Sequence, residues 1–383
     1  MKKNIARKIL ILLLLVTILL LSACGPKKPK GEVFVYVAVP LSGFQANGGQ
    51  TVLGGARLMA ERLNREGGLL GYKVTVVGMD DESDSDVAVA VAEEIQQAVQ
   101  EGKKVVGVVG HYNSGQTIEA MKVYKDLPLI VVTPTASEVS ITQQGYRNFF
   151  RVNANDTVQA KVDADFLVNA LGARRVAVVY NDDPYGVGLG QLISQELGAL
   201  GAEVPVSLQV AVEQSTFENE IPQIRDAAPD AVFYAGYEIE APYLRLALVE
   251  NGLGELIFFA SDGAFLSATI DEAEAAAEGI YVSAFGPSPA QAVDKQWVRE
   301  YQAVEYRNPD TYSINGYSAL AVLAEGVKRA KGFDAASVAD AIRDLDFSAP
   351  IGRMSFDASG DLKVPQIYVF QVRNGEFVQV FPE

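Results

Sequence analysis

From residue 33 onward, short apolar runs rich in β-branched residues alternate with longer stretches in which apolar positions recur every three or four residues. That alternation predicts a parallel sheet whose strands are joined by crossover helices. Runs over 33–39, 73–79, 105–109 and 129–132 read as strands. Val52, Ala56, Met59, Ala60 and Leu63 fall on one face of a helix over 49–65, which Gly67 and Gly68 stop. Asp84 or Asp86 can cap the next helix, with Val87, Val91, Ile95 and Val99 on its buried side. A helix over 114–124 separates the third strand from the fourth.

The same cycle then repeats. A helix runs from Asp156 through Ala170, followed by a strand over 175–180, a helix after Tyr185 and a strand over 203–209. Strands over 231–235 and 256–260 extend it, with a helix around 240–250 between them. Long helices return over 290–306 and 313–329, and Asn374-Gly375 between runs at 367–372 and 377–381 predicts a closing hairpin. The fold class is therefore α/β, in two doubly wound halves with parallel sheets.

The N-terminus follows a different pattern. Residues 9–21 are apolar apart from Thr17, and Lys2, Lys3, Arg7 and Lys8 precede them. The run falls short of the roughly 20 residues that a membrane-spanning helix needs, and its layout is that of a cleaved secretory signal, with an uncleaved anchor as the alternative. It ends in Leu21-Ser22-Ala23-Cys24, and Cys24 is the only cysteine among 383 residues, so no disulfide can form within one chain. Residues 24–32 contain Pro26, Pro29 and three lysines and read as a short solvated tether. Without 1–23, roughly 360 residues remain, which suits two lobes better than one core. The formal net charge is −16, and the removed segment carries four positive charges, so the mature chain stands near −20. A charge of that sign excludes nucleic acid as a partner.

In open parallel sheets, ligands bind beyond the carboxyl ends of the strands. In the first half those ends carry Pro40-Leu41-Ser42-Gly43, Gly110-His111-Tyr112-Asn113-Ser114-Gly115 and Thr133-Pro134-Thr135-Ala136-Ser137-Glu138. Ser114 and Ser137 stand where helices begin, and free amides and hydroxyls there can hold one carboxylate; plain capping of its own helix is the alternative for each. In the second half the ends carry Asn181-Asp182-Asp183-Pro184-Tyr185-Gly186, Gly236-Tyr237-Glu238 and Ser261-Asp262-Gly263. Tyr185 and Tyr237 offer a ring face and a hydroxyl, and Asp262 offers a negative charge. Set opposite the serine loops, these groups suit a zwitterion that draws two lobes together. A solvated turn for Asp262 and a core aromatic for Tyr237 are the alternatives.

His111 is the only histidine and has no cysteine or second histidine with which to build a zinc site, so it is expected to be a loop residue bonded to backbone. Asp80-Asp81 reads as exposed turn and cap chemistry, and Trp297 as packing. There is no nucleophile elbow and no phosphate loop, and Gly186-Val187-Gly188-Leu189-Gly190 lacks the spacing of a dinucleotide fingerprint. No enzyme, cofactor or metal is expected.

Seven segments carry a family resemblance. Pro40-Leu41-Ser42-Gly43, Leu63-Asn64-Arg65-Glu66-Gly67-Gly68, Asp80-Asp81-Glu82-Ser83-Asp84, Thr133-Pro134, Phe150-Arg151, Asp183-Pro184-Tyr185-Gly186 and Asp357-Ala358-Ser359-Gly360-Asp361 resemble, in order and spacing, the periplasmic leucine-, isoleucine- and valine-binding proteins. The resemblance covers essentially the whole mature chain. It implies the type I periplasmic-binding-protein fold, with two lobes, 33–155 plus 286–362 and 156–285 plus 363–383, joined by a three-strand hinge around a cleft. It also implies a monomer that captures an amino acid, branched-chain or similar aliphatic, and delivers it to the permease and ATPase of an ABC importer. Carried over residue by residue, the carboxylate-binding loop falls on Tyr112, Asn113 and Ser114. The second loop falls on Thr135, Ala136 and Ser137.

Tyr185 and Tyr237 match tyrosines that close from the second lobe, Asp262 matches the acidic partner of the ammonium, and Tyr312 matches an aromatic residue near the ligand side chain. Gly48 stands where the family often has a pocket aromatic, so either Phe44 substitutes or the pocket is wider. Leu21 to Cys24 resembles the lipobox of bacterial lipoproteins, which implies removal of 1–23, acylation of Cys24 and a lipid-anchored, extracytoplasmic protein in the cell envelope. The scaffold's alternative uses are a ligand-sensing clamshell for a signalling receptor, or a receptor for an amide, urea or aromatic acid.

Overall fold

The computed structural model describes residues 28–382. The expected signal segment 1–23, Cys24 and the tether residues up to 27 lie outside the described residues.

Strand β1 (Glu32–Val39) has almost no exposed residue after its first, as expected for a strand covered on both faces. It pairs in parallel with β2 (Lys73–Asp80) on one side and β3 (Val105–Gly110) on the other. Strands β4 (Ile130–Thr133) and β5 (Phe149–Arg151) continue outward from β3, giving the order β2-β1-β3-β4-β5. The second sheet repeats this winding. Strands β6 (Val176–Asn181), β7 (Ser207–Val210), β8 (Ala231–Ala235), β9 (Ile257–Ala260) and β10 (Tyr281–Ala284) run in the order β7-β6-β8-β9-β10. Each sheet therefore reverses direction once, between β1 and β3 and between β6 and β8, and a crevice opens at each reversal.

A small ribbon pairs β11 (Phe347–Ala349) with β12 (Gly352–Met354). The chain ends in the hairpin of β13 (Tyr368–Arg373) and β14 (Glu376–Phe381), which adds an antiparallel edge to the otherwise parallel second sheet. Asn374 and Gly375 take φ of 55° and 74°, the left-handed pair that a tight hairpin turn requires. The chain passes between the two sheets three times: after β5, after β10 and between β12 and β13.

The first sheet is covered by helices Ala46–Arg65 and Ser313–Ala330, whose apolar faces share one core with Val33, Val35, Val37 and Val39. These helices touch backbone to backbone. A Cβ at Gly55 would stand 1.9 Å from the Ser313 carbonyl oxygen, and one at Gly316 2.0 Å from that of Val52.

Several elements differ from the sequence pattern, for local reasons. The first helix begins at Ala46 instead of residue 49, because its opening turn is small and polar and Gln45 caps it without a side-chain bond. The helix at Asp156–Asp165 widens into a π turn over Phe166–Ala170. The single helix expected over 290–306 is two, Pro289–Ala292 and Lys295–Glu305, and the carboxylate of Asp294 restarts the second by accepting from the Trp297 amide at 2.8 Å. The strand expected from 203 begins at Ser207, with one bridge from Glu203 to Arg175 ahead of Pro205. Short strands β5 and β10 and helices Glu220–Ala227, Ser267–Ala273 and Ala335–Arg343 lie outside the elements that the sequence pattern predicts; the helices have only seven to nine residues each.

Candidate functional site

The loops that leave β3 and β4 are tied into one wall. Thr133 Oγ1 donates to the carbonyl of His111 at 2.8 Å, and Thr135 Oγ1 donates to that of Tyr112 at 2.5 Å. Asn153 and Asn315 then hold the carbonyls of Thr135 and Pro134 from behind, at 3.0 and 2.9 Å. Fully buried Arg151 adds bonds to the carbonyls of Ala136 and Glu138 at 3.2 and 3.1 Å, and its Nε pairs with Asp361 at 2.5 Å. Asn113 is the N-cap of helix Ser114–Tyr124 but makes no side-chain cap bond, so amides of that first turn are left for another acceptor. Ser114 does not cap its own helix either. Its Oγ accepts from the amides of Ser137 and Glu138, each at 3.2 Å, which fixes the two loops side by side.

The second sheet supplies the facing wall. Asp183 caps helix Pro184–Ala199 and accepts from the Tyr185 amide at 2.9 Å, which fixes where the Tyr185 ring starts. That ring stacks on Tyr237 with centroids 5.6 Å apart, and its hydroxyl donates to Asp262 Oδ1 at 2.6 Å. Gln159 Nε2 donates to the same oxygen at 2.9 Å and to Ser283 Oγ at 3.0 Å, and Ser283 in turn donates to Asp163 at 2.9 Å. Tyr312 comes from the first lobe. Its hydroxyl donates to the Asp262 carbonyl at 2.6 Å, and its ring meets Tyr112 edge-on at 5.3 Å. The walls are close enough that a Cβ at Gly115 would lie 2.9 Å from the Asp183 carboxylate.

One cavity collects these groups. It is lined by Tyr112, Asn113, Ser114, Thr135, Ala136, Ser137, Tyr185, Tyr237, Asp262, Gly263 and Tyr312, and its unfilled space is about 280 Å³ with the open mouth included. Burial raises the Asp262 carboxyl to about 6, although the Tyr185 and Gln159 bonds oppose the rise. Burial also raises Asp156 to about 8 and Asp163 well above the carboxylate range, and the Asp262 charge pushes both in the same direction. The second wall is thus crowded with acids, while Arg151 is already engaged. A small cation is the group whose arrival would best relieve the crowding.

All ten residues expected at the ligand line this cavity, and Gly263 joins them. Three other expectations are corrected. Phe44 is only half-buried and does not line the cavity, and the place of a side chain at Gly48 is taken by Tyr112, whose Oη would lie 2.3 Å from a Cβ there. His111 bonds to side chains instead of backbone: Nδ1 lies 2.7 Å from Asp81 Oδ2 and Nε2 lies 3.2 Å from the Tyr124 hydroxyl. Asp81 is accordingly buried, not an exposed turn acid, because the β3 loop folds His111 inward against it. Trp297 packs on Tyr301. Gln159, inside the helix Asp156–Asp165, carries no sequence signal for its bond to Asp262. Among the described residues, no group of three or more His, Cys, Asp and Glu side chains is arranged to hold a metal ion.

Two facing α/β lobes with a polar cavity between their strand ends define a ligand-binding clamshell. A family model described as periplasmic binding protein matches residues 32–376, and the chain belongs to that family. It is 29% identical to the Leu/Ile/Val-binding protein homolog 1 of Brucella melitensis over 90% of this chain and 91% of the relative. Its structure is similar to a leucine-binding protein of Thermotoga maritima, with a TM-score of 0.82, 25% identity, and coverage of 91% of this chain and 97% of the other. The fold is shared with a solute-binding protein of R. palustris in complex with benzoate, with a TM-score of 0.81 and 20% identity over 91% and 95% of the two chains. The chain is therefore an extracytoplasmic solute-binding protein of that family, and the relatives it matches are binding proteins, not enzymes.

Proposed function

We propose that the chain captures an α-amino acid in the interlobe cavity and hands it to the permease and ATPase of an ABC importer. One observation carries this: Ser114 and Ser137, from the first sheet, share a cavity with Asp262, from the second. The ligand carboxylate lies on the loops 112–114 and 135–137, where backbone amides and hydroxyls converge at a helix start. The ammonium lies on Asp262, with Tyr185 and Tyr237 closing over it. The names of the relatives make branched-chain and other aliphatic amino acids the first ligands to examine. Cys24, acylated after removal of 1–23, holds this monomeric receptor at the membrane beside its permease.

Calorimetry of the protein from residue 25 onward with a panel of amino acids tests the proposal. Binding is expected in the micromolar range or tighter. If no amino acid binds at millimolar concentration, the substrate class is wrong. The four tyrosine rings around the cavity favour a second candidate, an aromatic acid. Benzoate belongs in the same panel, although a ligand without a cation leaves Asp262 uncompensated. Mass spectrometry of the membrane fraction checks the anchor, since Cys24→Ala is expected to abolish lipid attachment.

A further inference from the structure

One end of the first lobe carries a charge opposite to that of the molecule. Residues 28–31, 70–73, 101–104 and 328–334 hold eight lysines and arginines against two acids, in a protein whose formal net charge is −16. Backbone and ring contacts bring these segments together at the edge where β1, β2 and β3 begin. The Lys30 amide donates to the Gly71 carbonyl at 2.8 Å, the Lys73 amide to that of Gly31 at 3.0 Å, and the Phe34 amide to that of Lys104 at 2.9 Å. Tyr72 and Phe333 meet edge-on at 5.3 Å, and Lys104 Nζ lies 4.1 and 5.2 Å from the two ring centroids. Some of the charge is already paired: Lys73 with Glu32, Lys328 with Glu325 and Arg329 with Asp344. Lys28, Lys30, Lys103, Lys104 and Lys331 are exposed and form no ion pair among the described residues, and they outnumber the exposed acids beside them, Glu66, Glu101 and Asp334.

The expected anchor enters at this same end. Lys28 follows Cys24 by four residues, a length of chain that spans at most about 14 Å. An acylated Cys24 therefore keeps these lysines within about two Debye lengths of the lipid headgroups. Long lysine stems beside two half-buried aromatic rings suit that boundary, because the ammonium heads reach phosphate while the stems and rings cover apolar surface. The rest of the surface is strongly acidic and is repelled by anionic headgroups, so this end alone can face them. The cavity lies at the opposite end of the same strands, and β1, with its eight residues, is about 26 Å long. Contact through the basic end thus leaves the cavity clear of the bilayer.

We infer that the lysines around Tyr72 and Phe333 form a docking surface for anionic lipid headgroups, which stands the first lobe on the membrane with its cavity held away from it. The orientation rests on the acylation of Cys24 proposed above; the surface itself is tested without it. The protein from residue 25 onward is sedimented with vesicles of phosphatidylcholine alone, or mixed with an equal part of phosphatidylglycerol, at a low ionic strength of about 20 mM. Binding is expected to the anionic vesicles only, and to disappear at high salt. Lys30→Gln, Lys103→Gln and Lys331→Gln are each expected to weaken it about fivefold, whereas Lys161→Gln in the second lobe leaves it unchanged. Thermal melts of the same variants should match the parent, since all four side chains are exposed. No binding to anionic vesicles, equal binding to both kinds, or binding indifferent to the three substitutions would overturn the inference. So would displacement by millimolar inorganic phosphate at constant ionic strength, which would mark an anion site in place of a membrane-facing surface. Because this protein lacks Cys24, these outcomes leave the anchor proposal untouched, and a Cys24 found without lipid would overturn the anchor alone.

Discussion

Tyr185 donates its hydroxyl to Asp262 Oδ1 at 2.6 Å, and Gln159 donates to the same oxygen at 2.9 Å. Neither bond engages Oδ2, so the carboxylate is oriented with one oxygen still available to a ligand cation. Asp262→Asn keeps the shape and removes the charge. Amino acid affinity is expected to fall by about 2–5 kcal/mol, the range for truncating one partner of a buried charge pair. The melting temperature should hold or rise. Calorimetry and thermal melts on one preparation check this, and an equal loss of both would assign Asp262 to the fold.

Proton competition at the same carboxylate gives binding a pH dependence. Asp262 faces Tyr185 and Tyr312 and lies near Asp156 and Asp163, all of which favour its neutral form or stay neutral themselves. Its folded value of about 6 lies above the unfolded one, so its contribution to the stability of the unliganded form is complete below about pH 4 and is lost as the pH rises through 6. For binding the sign reverses, since the ammonium requires the ionised acid. Affinity is expected to be flat above pH 7 and to fall by up to about tenfold per unit below 6. Titrations in two buffers of different ionisation enthalpy should show proton release on binding near pH 5.5.

Arg151 holds the second serine loop from behind through the carbonyls of Ala136 and Glu138, and it pairs with Asp361. Arg151→Met is expected to cost about 3–5 kcal/mol in denaturant unfolding, as for other broken buried ion pairs. Affinity should fall as well, because the Thr135–Ser137 backbone loses its support. A variant with wild-type affinity would show that the loop is held by Asn153 and Asn315 alone.

His111, which directly precedes Tyr112, forms a buried pair with Asp81 and does not itself line the cavity. His111→Leu is expected to destabilise the protein by about 2–4 kcal/mol, since Asp81 is left without its partner. Adding Asp81→Leu should recover part of that loss, because no orphaned acid remains. Urea melts of the two singles and the double measure the coupling, and simple additivity would contradict the pairing.

The cavity residues were legible because a parallel sheet places its ligand loops at the carboxyl ends of strands, and those strands announce themselves as apolar runs. Tyr112 to Ser114, Thr135 to Ser137, Tyr185, Tyr237 and Asp262 all follow such runs. Gln159 was not legible. It lies inside a helix, and its bond to Asp262 spans 103 residues of chain. Glu238 and Gln45 are ordinary polar residues by sequence, and only the folded chain buries them. Strand β10 hid for a different reason: its four residues include Ser283, which points into the polar network behind Asp262.

The helix Ser313–Ala330 covers the core of the first sheet, yet in the chain it comes after every parallel strand of the second. The order of synthesis and the order of completion therefore differ. A chain ending at residue 285 contains every residue of the cavity except Tyr312, but the β1 valines lack one of their two covering helices. Until residue 330 has joined them, the first lobe is an unfinished half-core, so the protein gains its receptor only as a whole.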